Sequence, residues 1–382
     1  MKTFEQDLAE RRAQHLYRER LILDSPQATQ IHLANETLLT FCSNDYLGLA
    51  NHPQVVAAFK AGADRYGVGA GASHLVTGHS RAHHALEEEL ADFVGAPRAL
   101  LFSTGYMANL GVVSALVDRH QIIFEDRLNH ASLIDAARLA RAKVQRYAHA
   151  DVAQLQRRMS AQQAALITTD GVFSMDGDIA PLSELYHLAT AHGARLLVDD
   201  AHGLGVLGKN GRGSFEHLNI SWAAPVMLMG TLGKALGVFG AFVAGEVALI
   251  ETLIQRARTY IYTTALPPAV AEAVRASLKI ARAENWRRER LQSLVAQFRA
   301  GAAQLGFKLA PSITPIQALI MGEASVALEA SRRLRAQGIL IPAIRPPTVA
   351  AGLSRLRITF SAAHEAAHVE RLLQALAAIK PA

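Results

Sequence analysis

One lysine of this 382-residue chain lies where its amine could act as a nucleophile. Lys234 follows an apolar run and has small or apolar neighbours, in the segment MGTLGKALG (residues 229–237). A low dielectric favours the neutral form of a lysine, and the neutral amine is the form that attacks a carbonyl carbon. The alternative is a lysine that extends from a loop into solvent, and this segment alone leaves both interpretations open.

Two acids and a histidine follow another apolar run. Asp199, Asp200 and His202 come directly after residues 195–198, at the carboxyl end of a predicted strand, where open α/β sheets bind ligands. A buried carboxylate there needs a cationic partner, and a protonated pyridine nitrogen would be one. Acids and histidines at strand ends are also often only turn or cap residues. We expect Asp200 to be structural.

Two more predicted strand ends carry suitable groups. Residues 102–109 are typical of a strand followed by a small-residue turn into a helix, whose first N–H groups, at Gly105 and Tyr106, could hold a phosphate. His130 follows a further strand and could cover a flat ring. A phosphate cradle, a stacking ring, an acid and a buried lysine together predict pyridoxal phosphate as the cofactor. This chemistry requires no metal ion.

Three short motifs fit other functions less well. Residues 203–208 match G-x-G-x-x-G, but loop residues follow where a dinucleotide site needs a helix. His364 and His368 match H-E-x-x-H, but no third zinc ligand follows at the expected spacing, so we predict the solvated first turn of a helix near Ser361. Lys234 is not part of a nucleotide-binding P-loop, because Leu228 and Ala235 replace its glycine and its hydroxyl residue.

The composition excludes several classes of protein. Lys and Arg number 39 against 33 Asp and Glu, and the densest basic stretch, residues 286–290, is interrupted by an acid, which favours a solvated helix face over a nucleic-acid site. The single cysteine, Cys42, excludes a disulfide scaffold and fits a reducing cytoplasm. No apolar run is long enough to span a membrane, and residues 1–23 lack the features of a signal peptide. We therefore expect a cytoplasmic protein that binds neither nucleic acid nor membrane.

The elements that must position these residues alternate along the chain. Apolar runs of strand length lie at residues 99–103, 121–125, 144–147, 165–169, 195–198, 226–229 and 241–244, and helical patterns separate most of them. Such runs predict a mainly parallel sheet covered by helices on both faces. Residues 2–22 are predicted as an exposed helix, and a smaller α+β pattern, with strands at 316–321, 339–344 and 355–360, follows Pro267-Pro268. We predict an N-terminal segment (1–46), a large cofactor-binding domain (47–283) and a small C-terminal domain (284–382).

Four segments resemble the α-oxoamine synthases, a family of fold-type-I pyridoxal-phosphate enzymes. They are SNDYLGL (residues 43–49), DGVFSMDGD (170–178), VDDAHG (198–203) and TLGK (231–234). The resemblance covers essentially the whole chain. It implies a large domain with a mainly parallel seven-stranded sheet between helices, and a small α+β C-terminal domain.

The resemblance also implies roles for single residues around the cofactor. Lys234 would bind the cofactor covalently and later remove the α-proton of the amino acid substrate. Asp199 would pair with the pyridinium nitrogen, His202 would hydrogen-bond the phenolic oxygen, and His130 would stack on the ring. Further contacts are expected from Ser174 near the phenolic oxygen, and from Gly105, Tyr106 and Thr231 at the phosphate.

Other residues would bind the substrates or a partner subunit. Arg345 would take the carboxylate of the amino acid as a bidentate pair, and Asn44 would lie near the bound amino acid. Arg18 would meet the phosphates of the acyl donor. The family forms homodimers with the active site at the subunit interface, so Thr263 and Thr264 would reach the phosphate of the partner subunit.

The segment AIRPPTV (residues 343–349) narrows the expected substrates. It is similar to members of the family that condense L-alanine with a pimeloyl thioester, carried by coenzyme A or by an acyl carrier protein. The alternative is a glycine-using relative, such as a glycine C-acetyltransferase or a 5-aminolevulinate synthase. Two positions depart from the expected pattern: Ala350 stands where a proline is usual, and Asp170 where a glutamate is frequent.

Overall fold

The structure is a computed structural model that describes residues 2–222 and 225–380. Its strands are β1 (Gln30–Leu33), β2 (Glu36–Thr40), β3 (Arg98–Phe102), β4 (Ile122–Asp126), β5 (Lys143–Tyr147), β6 (Leu166–Asp170), β7 (Arg195–Asp199), β8 (Val226–Thr231), β9 (Ala241–Gly245), β10 (Ile316–Gly322), β11 (Ile339–Leu340), β12 (Ala343–Ile344) and β13 (Ser354–Thr359). Its helices are α1 (Phe4–Ala13), α2 (Pro53–Tyr66), α3 (Arg81–Val94), α4 (Gly105–Leu116), α5 (Ala131–Leu139), α6 (Val152–Ala161), α7 (Leu182–Ala191), α8 (Ser214–His217), α9 (Val247–Arg256), α10 (Arg258–Ile261), α11 (Pro268–Ala283), α12 (Trp286–Gln304), α13 (Ala324–Ala336) and α14 (Ala366–Ile379), with one π-helical turn at His74–Gly78.

The chain divides into two compact units. One comprises residues 49–174 and 179–285, and the other comprises residues 1–48, 175–178 and 286–382. The N-terminal segment and the C-terminal residues thus share one unit. The division into three parts at residues 46/47 and 283/284 stays a prediction about domains.

A seven-stranded sheet organises the larger unit. Its strand order is β3-β9-β8-β7-β6-β4-β5, and β9 runs antiparallel to both of its neighbours while the remaining pairs are parallel. The prediction of a mainly parallel seven-stranded sheet between helices is therefore confirmed. Because β3, β4, β6, β7 and β8 run in the same direction, their carboxyl ends meet at one edge of the sheet.

The strands of this sheet are apolar because helices cover both of its faces. Every residue of β6 and of β9 is buried. On one face, strand residues such as Leu100, Leu166 and Leu197 join a core cluster with residues of α4, α5 and α9, among them Val112 and Ile250. This packing holds the strand ends, and the side chains that follow them, in fixed positions.

Two small sheets organise the other unit, one with the order β1-β2-β11 and one with the order β10-β13-β12. The single strand predicted over residues 339–344 is divided, since β11 pairs with β2 and β12 pairs with β13. Pro342 lies between them and has no backbone N–H to donate to a ladder.

The predicted helix over residues 2–22 is too long: α1 ends at Ala13, and His15 has a left-handed backbone with φ 57°. No residue of α1 is buried, so no apolar contact supports a longer helix. No helix of the described residues is long and apolar enough to cross a membrane.

Candidate active site

A cavity of about 190 Å³ opens at the carboxyl edge of the seven-stranded sheet. Most of its walls come from residues at the ends of β4, β6, β7 and β8 and from the first turn of α4. The lining residues are Gly105, Tyr106, His130, Ser132, Asp170, Asp199, Ala201, His202, Met229, Thr231 and Lys234. Seven of the eight residues predicted to bind the cofactor line this one cavity. Ser174 is not among the lining residues.

Lys234 lies in the turn that connects β8 to β9. The amide of Gly237 donates to the Lys234 carbonyl, and Gly237 has a φ of +67°, where a Cβ would overlap the Ala50 backbone nitrogen. The turn directs the amine to His202, with 2.9 Å between Lys234 Nζ and His202 Nε2. A nitrogen–nitrogen contact of this length needs one donor and one acceptor, so a neutral His202 can accept a hydrogen bond from the lysine.

Asp199 ends β7 and is only 4% exposed. Its Oδ2 accepts a hydrogen bond of 2.8 Å from Asn109 Nδ2, and its Oδ1 accepts one of 3.1 Å from the Ala201 amide. Within the described residues, Asp199 forms no ion pair with a lysine, arginine or histidine. A buried carboxylate that forms no ion pair with a protein side chain suits a cationic ring nitrogen.

His130 is held by contacts on both its backbone and its ring. It caps the N-terminus of α5, and its amide donates to Asp170 Oδ2 at 2.7 Å. Its Nδ1 lies 2.7 Å from Ser132 Oγ, which also accepts from Asn109 Nδ2 at 2.8 Å. Burial lowers the pKa of His130, Asp199 opposes this, and the Lys234 charge lowers it further. The ring is therefore neutral at pH 7.

Asn109 and Ser132 are site residues that sequence reasoning missed. Asn109 Nδ2 bridges Asp199 and Ser132, and Ser132 Oγ contacts the ring of His130, so one hydrogen-bonded chain connects the Asp199 carboxylate with the His130 ring. Asn109 is fully buried on α4, and its Oδ1 has no hydrogen-bond partner within the described residues. A polar residue in the otherwise apolar stretch of α4 was the available signal.

Asp170 is a buried second acid at the same sheet edge. It is the register partner of Asp199 on the neighbouring strand. Burial raises the pKa of Asp170 well above its usual value, and the charge of Asp199 raises it further, against the opposing effect of the His130 amide. One of the two neighbouring carboxyls is thus protonated more readily than an ordinary aspartate, which limits the negative charge at the cavity.

The first turn of α4 forms one wall of the cavity and supplies amide donors to it. Thr104 caps the helix by accepting from the Met107 amide at 3.1 Å, and the amides of Gly105 and Tyr106 are first-turn donors without intrahelical acceptors. A Cβ on Gly105 would come within 3.3 Å of Met229 Cε, so a larger residue there would require a small shift of the methionine side chain. The Thr231 hydroxyl, which donates to the Gly240 carbonyl at 3.1 Å, lies on the same cavity. An anion-binding helix start, an uncompensated acid, a flat neutral ring and a lysine together fit pyridoxal phosphate.

Asp200 does not line the cavity, and its surroundings explain the G-x-G-x-x-G motif. It is fully buried, and its Oδ2 accepts from the Ser214 amide at 2.8 Å. A Cβ on Gly171 would lie 2.6 Å from its Oδ1, and a Cβ on Gly203 or Gly213 would overlap its carboxylate. Gly203 therefore makes room for a buried acid, and the residues after the motif form turns instead of a dinucleotide-binding helix.

The interpretation of His364 as part of a solvated helix turn is wrong. Helix α14 begins only at Ala366, and His364 is 3% exposed, stacked on Phe41 with 4.5 Å between ring centroids. Its Nε2 donates to the Thr40 carbonyl at 2.8 Å, and its Nδ1 accepts from the Ser361 amide at 2.9 Å. Burial lowers the pKa of His364 to about 4. The histidine fills a core position because the backbone satisfies both ring nitrogens.

The three residues predicted to bind substrate belong to the other compact unit. Arg345 donates to the backbone carbonyls of His15 and Tyr17, the latter at 3.5 Å, and burial lowers its pKa, as does the nearby charge of Arg18. Arg18 donates to Thr348 Oγ1 at 3.2 Å. Asn44 Oδ1 accepts from both terminal nitrogens of Arg357, at 3.2 and 3.3 Å.

Arg357 is a candidate residue that the sequence analysis did not single out. It is 6% exposed on β13 and contacts Asn44, the residue predicted to lie near the amino acid.

Thr263 is half-buried and Thr264 is exposed, and Thr264 forms an isolated antiparallel bridge with Ser73.

The fold and this cavity define a class of protein: a fold-type-I pyridoxal-phosphate enzyme. The profile of the family described as "Aminotransferase class I and II" matches residues 36–376. Proteins named 8-amino-7-oxononanoate synthase are 61% identical over 98% of this chain and 97% of the protein from Methylococcus capsulatus, and 60% identical over 97% of this chain and 99% of the protein from Nitrosococcus oceani.

Solved structures show the same likeness. The serine palmitoyltransferase of Sphingomonas wittichii has a TM-score of 0.93 at 32% identity and covers 98% of this chain and 96% of its own. The 8-amino-7-oxononanoate synthase of Francisella tularensis has a TM-score of 0.79 at 34% identity, over 89% of this chain and 97% of its own. The chain therefore belongs to the class I and II aminotransferase family, in its α-oxoamine synthase branch, and is an enzyme that uses pyridoxal phosphate.

Proposed function

We propose that this chain catalyses the reaction of the 8-amino-7-oxononanoate synthases. It joins L-alanine to a pimeloyl thioester, carried by coenzyme A or by an acyl carrier protein, and releases 8-amino-7-oxononanoate, CO2 and the free thiol carrier, a step in biotin biosynthesis. The observation that carries the proposal is the cavity in which Lys234 Nζ lies 2.9 Å from His202 Nε2 beside the buried Asp199. The relatives of that name, 57–61% identical over nearly their whole length, support the choice of substrates.

The residues around the cavity would hold and tune the cofactor. Pyridoxal phosphate, when bound, draws electrons from the α-carbon of a substrate amino acid, so that a proton or a carboxylate can leave that carbon. The Asp199 carboxylate would keep the pyridine nitrogen protonated, and the neutral His130 ring would lie against the cofactor ring. His202 and Ser174 would support the phenolic oxygen. The Gly105 and Tyr106 amides and the Thr231 hydroxyl would bind the phosphate.

Lys234 is the group that moves protons in this proposal. Its Nζ accepts the proton from the α-carbon of alanine, and the electron pair left on that carbon forms the new bond to the thioester carbonyl. The carbon–sulfur bond breaks with its electron pair on sulfur, and the thiolate that leaves takes up a proton from water. Loss of the alanine carboxylate as CO2 leaves an electron pair on the α-carbon, and a proton then binds there. The 2.9 Å contact with His202 keeps the amine directed into the cavity.

The alanine carboxylate needs an arginine, and two arginines are candidates. The resemblance assigns this role to Arg345, with Asn44 near the bound amino acid and Arg18 at the phosphates of the acyl donor. Arg357 is the second candidate, because its guanidinium is buried and bonds Asn44. A guanidinium binds a carboxylate through two parallel hydrogen bonds, so either residue would hold alanine in one orientation.

We further propose a cytoplasmic homodimer whose active sites lie at the subunit interface. Thr263 and Thr264 of one subunit would bind the cofactor phosphate of the partner. The single cysteine of the chain fits a reducing compartment.

The decisive experiment is an assay of the purified protein with alanine and either pimeloyl-coenzyme A or the pimeloyl-acyl carrier protein. We expect 8-amino-7-oxononanoate, identified by mass, with one CO2 released for each product. Controls replace alanine with glycine and the pimeloyl group with acetyl or succinyl. Turnover of glycine with a short acyl donor, and none with alanine, would reassign the chain to the glycine-using relatives.

A further inference from the structure

A cluster of histidines lies in the larger unit, apart from the residues that line the cofactor cavity. The π-helical turn His74–Gly78 and the start of α3 bring together the rings of His74, His79 and His83. One ring nitrogen from each lies within 4.8 Å of those from the other two, and Nδ1 of His74 is 3.0 Å from Nδ1 of His79. Two nitrogens that share one tetrahedral Zn²⁺ at about 2.0–2.1 Å lie roughly 3.4 Å apart. The spacing of His74 and His79 is close to that value.

We propose that His74, His79 and His83 form a binding site for one divalent transition-metal ion, with Zn²⁺ as the best match to three imidazoles. The rings offer nitrogen donors of intermediate softness, which suit Zn²⁺, Co²⁺ and Ni²⁺ better than Mg²⁺ or Ca²⁺. Three protein ligands leave a fourth position for water. The half-buried His79 gives that position access to solvent.

The opposite nitrogen of the His83 ring already has a partner that orients a metal ligand. His83 Nε2 donates to the Leu266 carbonyl at 2.7 Å, so its lone pair is on Nδ1. His79 Nε2 lies 4.0 Å from Glu87 Oε2, which is beyond hydrogen-bond distance, so the two side chains would have to approach each other for Glu87 to give the same support. Carbonyl or carboxylate partners on the second nitrogen are the usual support of ligating histidines. Ring stacking on Tyr260, with centroids 4.8 Å apart, fixes the plane of His74.

Binding requires two changes within the cluster. The 3.0 Å contact between Nδ1 of His74 and Nδ1 of His79 needs a proton on one of the two nitrogens, and the ion would displace that proton. His83 Nδ1 now accepts from the Ser80 amide and lies 3.0 Å from Ser80 Oγ. The ion would replace this capping bond, which lowers the affinity relative to a preformed structural zinc site.

The test is metal titration of the cofactor-loaded protein after removal of metals with a chelator. Co²⁺ is followed by its visible d–d absorption, and Zn²⁺ by calorimetry. We expect one saturable ion per chain. His74→Phe keeps a flat ring against Tyr260 and removes the ligand nitrogen, and His79→Gln removes the second ligand. Each should weaken binding at least tenfold while thermal unfolding of the metal-free protein shows that the variant is folded.

His84→Ala is the matched control. His84 is exposed on the same helix and belongs to an alternative group with His79 and Glu87. The His84→Ala variant should bind the ion as tightly as the parent protein does. Absence of saturable binding, or equal binding in His74→Phe, would mean that the cluster is only hydrogen-bonded and would overturn the proposal. Loss of binding in His84→Ala with retention in His74→Phe would place the ion at the alternative group and overturn it as well.

Discussion

At the residue scale, the chemistry depends on a few side chains whose protonation the surroundings control. Lys234 contacts His202, Asp199 is buried without an ion-paired protein cation within the described residues, and His130 is kept neutral by burial. These states are complementary to the proposed cofactor, since the Asp199 carboxylate would face its ring nitrogen and the neutral His130 ring would lie beside it. Each can be tested by a single substitution.

Lys234→Ala should abolish both turnover and the visible absorbance band of the bound cofactor, because the amine that binds it covalently is lost. Absorbance spectra of the purified variant measure this directly. Lys209→Ala, at an exposed lysine of the same unit, is the control and should keep both. A Lys234→Ala protein with the unchanged band and full turnover would refute the assignment of this lysine.

Arg345→Lys should raise the KM for alanine about tenfold, because a lysine cannot replace the two parallel hydrogen bonds of a guanidinium. The KM for the thioester should change much less. Steady-state kinetics with each substrate varied in turn measure the two constants. If Arg357→Lys produces this effect and Arg345→Lys does not, the carboxylate belongs to Arg357, beside Asn44.

At the element scale, the site depends on how turns and helix starts are built. The β8–β9 turn positions Lys234 through Gly237, and the first turn of α4 supplies donors through Gly105. The glycines around Asp200 have a different role. They leave space for a buried carboxylate that fastens the turns after β7 to the start of α8, since Asp200 Oδ2 accepts from the Ser214 amide.

Gly203→Ala should destabilise the fold by roughly 1–3 kcal/mol, since the new methyl group overlaps the Asp200 carboxylate. It should also reduce cofactor retention, because Asp199 and His202 flank this turn. Urea unfolding and the ratio of bound cofactor to protein are the measurements. Gly69→Ala is the control, because a Cβ there meets nothing within 4 Å. Equal stability of both variants would contradict the steric argument.

At the scale of the whole molecule, burial of acids makes stability depend on pH. The pKa of Asp200 is raised to about 7, chiefly by burial. Between its unfolded pKa, about 3.9, and 7, the folded state holds a proton that the unfolded state has released, so this group stabilises the fold less as pH rises. Above pH 7 Asp200 is ionised in both states, and the full free-energy cost of burying its charge lowers the stability of the fold.

Asp200→Asn cannot ionise and should therefore gain stability relative to the parent protein as pH rises from 5 to 8. Urea unfolding of both proteins at several pH values gives the difference. Asp64→Asn, at an exposed acid of the same unit, should show no such trend. A difference between Asp200→Asn and the parent that is constant with pH would show that Asp200 keeps an ordinary pKa.

The proposed dimer is also a prediction at this scale. Light scattering should give twice the mass of one chain. The double variant Thr263→Ala and Thr264→Ala should release the cofactor more readily, because each subunit would lose donors to the phosphate of its partner. A fully active monomer would contradict both expectations.

The sequence by itself determined the class of the fold and predicted most of the candidate residues that line the cavity. Continuous apolar runs between amphipathic helices predict a covered parallel sheet, and the residues after those runs must meet at its carboxyl edge. Lys234, Asp199, His202 and His130 were found in this way, because strand direction alone brings them together.

Only the tertiary structure decided the contacts between residues far apart in the chain. Asn109 bridges Asp199 to Ser132 across α4, β7 and α5, and Arg357 bonds Asn44 over a separation of 313 residues. His364 has the pattern of a surface helix turn, yet it lies in the core because the Thr40 carbonyl and the Ser361 amide satisfy its ring. The local pattern of apolar and polar residues indicates which face of a helix or strand is apolar. Which partner satisfies a buried polar group depends on packing between elements, and that is settled only when the chain folds.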